Sequence, residues 1–142
     1  MCAGMEPATT EKRRDIVALV ILQLAIGHVA LGVWQLVAPG SFFDVLGPFG
    51  SSNEHYTRDV GTFTLALGIA FAFAWRRPAW RLGVVGYALF QYSFHAVNHL
   101  VDIGDADPEA MGPIDFATIG LTALVLGWLM RQLLAERREP VP

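Results

Sequence analysis

The sequence predicts an all-α fold, a polytopic membrane four-helix bundle with both termini in the cytoplasm. Three observations lead to this prediction. The 142-residue chain is 54% hydrophobic and only 16% charged, four long stretches lack any charged residue, and the basic residues fall on one side of the resulting arrangement. A soluble domain has about 25% charged residues, and a chain this short needs many of them to cover its surface. The composition therefore favours a membrane protein.

The four uncharged stretches are long enough to cross a bilayer once their flanks are included. They run over 16–38, 60–75, 82–101 and 116–130. About 20 helical residues span a hydrocarbon core of about 30 Å, and arginines at the ends of the two shorter stretches can reach the interface. We therefore predict one transmembrane domain over 15–138, with polar tails at 1–14 and 139–142. Its spans lie at about 16–38, 58–76, 80–101 and 114–135.

The charges give these spans a direction. Nine of the ten basic residues lie before the first span, between the second and third, or after the fourth, together with five acidic residues, which makes that side +4. The opposite side holds eight acidic residues and Arg58, which makes it −7. Because basic loops stay in the cytoplasm, we expect both termini inside, and the two longer loops outside, in a bacterial inner membrane.

The connections carry turn signals in the expected places. Between the first two spans, the segment 41–46 is amphipathic and predicts a short interfacial helix with Ser41 as its N-cap. Pro78 ends a tight turn, so the second and third spans form an antiparallel hairpin. The second external loop, 104–113, is acidic, and Pro113 suits the first turn of the last helix.

Polar residues gather in the outer half of the predicted bundle. His28 and His95 lie 12 and 13 residues from the inner ends of their spans, at depths of about 18 and 20 Å. Gln35 follows His28 on the same helix face. The third span presents a polar face at helical spacing, and polar groups of the second and fourth spans lie at the same level. These residues are Tyr87, Gln91, His95, Asn98, His99 and Asp102, then Glu54, His55, Arg58 and Asp59, and lastly Asp115.

One interpretation of these residues is a transition-metal site. Nitrogen and oxygen ligands suit zinc, copper(II) or iron, and the spacing of His95, His99 and Asp102 places two imidazoles and a carboxylate on one helix face. The predicted metal ligands are His55, His95, His99, Glu54, Asp59 and Asp102.

Two other binding interpretations remain open. A b-type haem would need His28 opposed to His95 or His99 across the bundle. A pocket for a quinone, sterol or lipid would use His95 or His99 for acid–base chemistry on a lipophilic ligand, tuned by Asp102 or Glu54. The predicted ligand-binding residues are His28, Gln91, Asn98, Arg58 and Asp115.

The competing interpretation is structural. Intramembrane histidines and amides often only join helices, and the chain would then be an accessory or scaffold subunit of a respiratory or transport complex. Its partners would be the lipid bilayer and either a second copy or a larger membrane complex. Nucleic acid is excluded as a partner, because 10 basic against 13 acidic residues leave no basic footprint.

Two segments resemble a known family. The run 53–61, Asn-Glu-His-Tyr-Thr-Arg-Asp-Val-Gly, followed by Leu-Ala-Leu-Gly at 65–68, is similar to a segment of DoxX-like small four-helix membrane proteins, particularly actinobacterial members. The His-containing stretch 94–99 matches a later helix of that group in kind. The resemblance implies a four-helix membrane fold. For some members it also implies quinone-coupled oxidation of sulfur compounds or a place in redox-stress complexes.

Overall fold

A computed structural model describes residues 6–138, with side chains from residue 11 onward, and every regular element in this part of the chain is helical. An isolated bridge between Phe49 and Ala106 is the one piece of β pairing there. The all-α prediction is therefore confirmed. The helices are α1 Glu6–Val37, α2 Pro39–Leu46, α3 Glu54–Arg76, α4 Pro78–Val101 and α5 Met111–Glu136.

The first two helices differ from the sequence prediction at their starts. Helix α1 begins at Glu6, inside the polar tail predicted over 1–14, because the Glu, Lys and Arg residues that precede the apolar stretch are strong helix formers. Helix α2 is capped by Ala38 and has Pro39 in its first turn. Ser41, predicted as the cap, lies within the helix, and its Oγ accepts a hydrogen bond from Trp34 Nε1 at 3.3 Å.

Local signals also set the ends of α3 and the start of α4. The Asn53 side chain accepts a hydrogen bond from the Tyr56 backbone N–H at 3.1 Å and caps α3. Arg77 has extended backbone angles (φ −127°, ψ 97°), as expected for a residue that precedes proline. Pro78 then opens α4, so one residue connects the two helices. We call this end of the bundle the hairpin end, and the opposite end, where 47–53 and 102–110 connect the helices, the loop end.

Helix α1 packs mainly on α3, and α4 mainly on α5. The α1–α3 contact is closest at two glycines. A Cβ on Gly32 would lie 2.5 Å from the Leu65 backbone nitrogen, and one on Gly68 would lie 2.7 Å from the Val29 backbone nitrogen. Small residues permit this close backbone approach. Ala66, two residues before Gly68 on α3, is exposed and lies outside this contact.

The interior changes from apolar to polar along the bundle axis. Toward the hairpin end, buried apolar side chains from the four long helices form the core. They are Val17, Ile21, Ala25, Leu67, Phe71, Ala74, Val85, Ala88, Leu126, Leu129 and Leu133. Toward the loop end, the buried residues include His28, Gln35 and Asp115, each less than 10% exposed. These three of the predicted polar residues are therefore buried at one end of the interior.

The exterior is apolar on all four long helices. Ile26 on α1, Phe63 on α3, Phe94 on α4 and Leu124 on α5 are 62%, 71%, 72% and 73% exposed. Soluble monomers rarely present such a continuous apolar surface.

Two of these helices are long and apolar enough to cross a membrane. They are α1 over Glu11–Val37, with mean hydropathy 2.4, and α5 over Met111–Glu136, with mean hydropathy 1.6. Only 28% and 17% of their most apolar windows are buried, whereas the core helix of a soluble protein would be mostly buried. Helices α3 and α4, the other two predicted spans, are less apolar because α3 starts with charged residues and α4 carries the polar face.

Glycine substitutions test the α1–α3 contact. Gly32→Ala and Gly68→Ala should each lower the free energy of unfolding by about 1–3 kcal/mol, because the new methyl group meets backbone atoms. Gly27→Ala is the control, since a Cβ there meets nothing within 4 Å, and it should be neutral or stabilising by up to about 1 kcal/mol. Equal effects at the three positions in detergent unfolding would contradict the close contact.

Candidate functional site

One face of α4 supplies most of the polar interior. Val85, Ala88, Tyr92, His95 and His99 follow one another at alternating steps of three and four residues, which keeps them on one side of a helix. The first two belong to the apolar core, and the last three begin the polar region. We call the polar residues gathered at the loop end the polar cluster. It consists of His28, Gln35, Gln91, Tyr92, His95, His99 and Asp115.

His28 is held in one tautomer by two hydrogen bonds. Its Nδ1 lies 2.7 Å from the Leu24 carbonyl oxygen, which can only accept, so Nδ1 carries the proton. Its Nε2 accepts from the Tyr92 hydroxyl at 2.8 Å. The Phe71 ring lies against the imidazole, with ring centroids 5.2 Å apart. His28 thus connects α1 to α4 at the boundary between the apolar core and the polar cluster.

His95 and His99 point at one another. Their Nε2 atoms are 2.9 Å apart, and the Gln91 amide nitrogen lies 3.4 Å from His95 Nδ1. With Gln91 donating to Nδ1, His95 must carry its proton on Nε2 and donate it to His99 Nε2. The remaining His99 proton is then on Nδ1, which makes that atom a hydrogen-bond donor.

Four buried atoms of the polar cluster lack a hydrogen-bond partner within the described chain. They are Gln35 Oε1, Gln91 Oε1, His99 Nδ1 and Asp115 Oδ2. Asp115 lies within electrostatic range of His99, so a donor and an acceptor without partners are near each other. A buried polar group without a partner costs about 1–3 kcal/mol. Such groups in native proteins point to water, an ion or a ligand.

The two long loops meet over His99. The Phe49 ring stands edge-on to the His99 imidazole, with ring centroids 5.0 Å apart. Phe49 also pairs with Ala106, and the Asp107 backbone N–H donates to the Pro48 carbonyl at 3.0 Å. The two loops thus contact each other at this end of the bundle, and Phe49 packs against the His99 side of the polar cluster.

The predicted metal ligands are divided between two places. Glu54, His55 and Asp59 are exposed at the start of α3, where Glu54 pairs with Arg58 at 2.9 Å and His55 lies 3.6 Å from Asp59. Across residues 11–138, no three His, Cys, Asp or Glu side chains form a group that could hold a metal ion. The six predicted ligands are therefore not brought together around one point in this part of the chain.

Two further predicted residues also lie outside the interior. Asn98 is exposed and donates to Asp102 Oδ2 at 3.3 Å. Arg58 is exposed beside Glu54. Of the predicted ligand-binding residues, the structure therefore brings His28, Gln91 and Asp115 into the cluster but not Asn98 or Arg58.

The haem interpretation does not fit the contacts of the histidines. The Tyr92 ring lies edge-on to His28 at 5.6 Å and stacks on His95 at 6.5 Å between centroids. The Nε2 atoms of His28 and His95 both take part in hydrogen bonds, so neither is free to be an axial ligand.

Tyr92 and Phe49 are the site residues that sequence reasoning missed. Tyr92 lies among other aromatic residues of α4, a pattern typical of packing. The predicted polar face includes Tyr87 instead, although Tyr87 is 61% exposed. The alternating steps of three and four from Val85 to His99 are the signal that selects Tyr92. No local signal marks Phe49, because its position depends on how two distant loops meet.

The Tyr92–His28 hydrogen bond can be tested by removing one hydroxyl group. Tyr92→Phe leaves His28 Nε2 without its donor and should lower the free energy of unfolding by about 1–3 kcal/mol. Tyr87→Phe, the same change at an exposed position of α4, should alter it by no more than about 0.5 kcal/mol. Equal stabilities of the two variants in denaturant titrations would show that the bond does not join the helices.

Comparison with known proteins identifies a family but not an activity. Neither a curated protein nor a solved structure matches the chain at a significant level. A family model described as a family of unknown function, DUF6790, matches residues 6–139. The resemblance to DoxX-like proteins stays a prediction, because the matching model describes a different family. The match covers nearly the whole sequence, and the chain therefore belongs to the DUF6790 family.

Proposed function

We propose that this chain is a four-span membrane protein with both termini in the cytoplasm. In the proposal, its polar cluster binds the head group of a small lipophilic ligand, such as a quinone or a sterol. The observation that carries the binding proposal is the set of four buried polar atoms, contributed by α1, α4 and α5, that have no hydrogen-bond partner within residues 11–138.

The membrane placement is supported by the distribution of side chains around α4. Phe90, Phe94 and Val97 are 60% or more exposed on its outer face, while His95 and His99 turn inward. In water, this arrangement would expose the apolar residues and bury the polar ones. In lipid it is the favoured one, because apolar residues face the hydrocarbon and polar residues face the bundle interior.

The orientation is supported by charge. Arg76, Arg77 and Arg81 lie at the hairpin end, and the loop end is acidic. Basic loops are retained in the cytoplasm, so the hairpin end faces inward in this proposal and the polar cluster lies in the outer half of the membrane. Each of the four long helices has at least 23 residues, or about 34 Å of length.

The unpartnered atoms indicate the chemistry of the ligand. His99 Nδ1 is a donor, whereas the Gln35, Gln91 and Asp115 oxygens are acceptors. A carbonyl group on the ligand matches the donor, and a hydroxyl group matches an acceptor. A quinone presents carbonyl groups and a quinol presents hydroxyl groups, so both forms of such a ligand match these atoms.

Replacing His99 by alanine tests the binding proposal. The protein is purified in mild detergent and titrated with a short-chain benzoquinone, and tryptophan fluorescence quenching reports binding. His99→Ala should weaken quinone binding about five- to tenfold, because a hydrogen bond to a buried group contributes about 1–1.5 kcal/mol. His55→Ala is the matched control, since the His55 side chain is 89% exposed, and it should leave binding unchanged.

Equal binding by both variants, or no saturable binding by the unchanged protein, would contradict the proposal. A cholesterol analogue titrated in parallel decides between the two ligand classes. Elemental analysis of the same preparation tests the metal interpretation, since stoichiometric zinc, copper or iron lost on His95→Ala would replace the quinone proposal.

Single cysteines test the topology. In a Cys2→Ser background, Asp105→Cys at the loop end and Arg77→Cys at the hairpin end both occupy exposed positions. An impermeant maleimide added to intact cells (outer membrane permeabilised where there is one) should label the first variant and not the second. Both should be labelled after complete lysis. Labelling of Arg77→Cys in intact cells would contradict the proposed orientation.

A second candidate function is an accessory subunit that binds a membrane helix of a partner. A groove between α3 and α4 favours it. The groove is open and apolar and includes Ala66, Ala70 and Gly83, and small residues are what close helix packing in lipid requires. Under this alternative the protein would bind no quinone. It would dissociate from a larger complex only when larger side chains fill this groove.

A further inference from the structure

A second polar feature lies at the hairpin end, far from the polar cluster. A cavity of about 390 Å³ opens there between the ends of α1, α4 and α5. Its lining combines arginines from three helices with one carboxylate and apolar side chains. These residues include Arg14, Arg81, Arg137, Glu136, Leu82 and Leu133.

The arginines give this cavity a positive charge. Three guanidinium groups against the Glu136 carboxylate leave a formal +2. Arg81 is fixed in place, because its Nε donates to the Ala74 carbonyl at 3.2 Å and one terminal nitrogen donates to the Trp75 carbonyl at 3.4 Å. Such bonds hold the guanidinium at the rim of the cavity and reduce the side-chain entropy that binding an anion would cost.

We propose that this cavity binds the phosphate group of an anionic ligand, with the head group of an inner-leaflet anionic phospholipid as its source. Guanidinium groups match the geometry of phosphate oxygens, and basic pockets between membrane helices on the cytoplasmic side bind phospholipid head groups. Leu82 and Leu133 give the cavity an apolar side that suits the start of an acyl chain. The lipid source rests on the membrane placement proposed above.

Two double variants of equal charge provide the test. Arg14→Gln with Arg137→Gln removes two arginines that line the cavity. Arg131→Gln with Arg138→Gln removes two exposed arginines near the same end that do not line it. Binding of phosphatidylglycerol and of phosphatidylcholine to the full chain is measured by native mass spectrometry from detergent.

The unchanged protein should prefer phosphatidylglycerol. The cavity variant should lose roughly 30-fold in affinity for it, about fivefold per arginine, while the surface variant should lose less than about threefold. Equal losses in the two variants would overturn the proposal, because diffuse charge would then explain the preference. No preference for the anionic lipid would overturn it as well.

A parallel titration with inorganic phosphate separates the two sources of phosphate. Binding of inorganic phosphate that requires Arg14 and Arg137, without lipid preference, would assign the cavity to a soluble phosphate compound and overturn the lipid source. The quinone titration on the same variants reports on the opposite end of the bundle. A failure of the ligand proposal therefore remains distinguishable from a failure here.

Discussion

The close contact between α1 and α3 determines where every interior polar group of the first helix lies. Gly68 sits against the backbone of His28 and Val29, and Gly61 sits against the Cβ of Gln35. Because Gly61 and Gly68 carry no side chains, the two helices approach closely there, and this contact fixes their relative register. A shift by one turn, about 5.4 Å, would carry the His28 imidazole away from the Tyr92 hydroxyl and remove Gln35 from the interior.

The bundle holds two kinds of interior along its axis. Toward the hairpin end, apolar side chains fill the core between the helices. Toward the loop end, histidines, amides and a carboxylate replace them, while Phe94 and Val97 are exposed on the outer face of α4. Buried polar groups require partners wherever water is excluded. Some are provided by the chain itself, as with His28 and Tyr92. His99 Nδ1 and Asp115 Oδ2 have no hydrogen-bond partner within residues 11–138, which is the physical basis of the proposed ligand site.

The helices were predictable, and the assembly of the site was only partly so. Uncharged stretches flanked by arginines located the long helices, and Asn53 and Pro78 marked two boundaries, because these signals are local. The inward direction of His28, Gln35 and Asp115 also followed from the cost of polar groups in lipid.

Side-chain direction on α4 was less predictable. Steps of four residues placed Tyr87 on the polar face, whereas packing against neighbouring helices follows alternating steps of three and four and selects Tyr92. The predicted metal ligands are not brought together for a related reason. Glu54, His55 and Asp59 share a level with His95, but the start of α3 directs them outward, where they pair locally. The position of Phe49 over His99 depends on two loops more than 50 residues apart in sequence, and no local pattern encodes it.

The central claim is that polar residues face inward and apolar residues face lipid. Helix α4 is the helix on which this claim can be tested most directly. Its composition alone does not identify it as a span. Spin labels at Phe90, Phe94 and Val97, with the protein in lipid nanodiscs, would report collision rates with oxygen, which concentrates in lipid, and with a water-soluble nickel chelate. Our account predicts high oxygen and low nickel accessibility at all three positions. High nickel accessibility at Phe90 and Phe94 would place this face of α4 in water and contradict the membrane arrangement on which the proposed site depends.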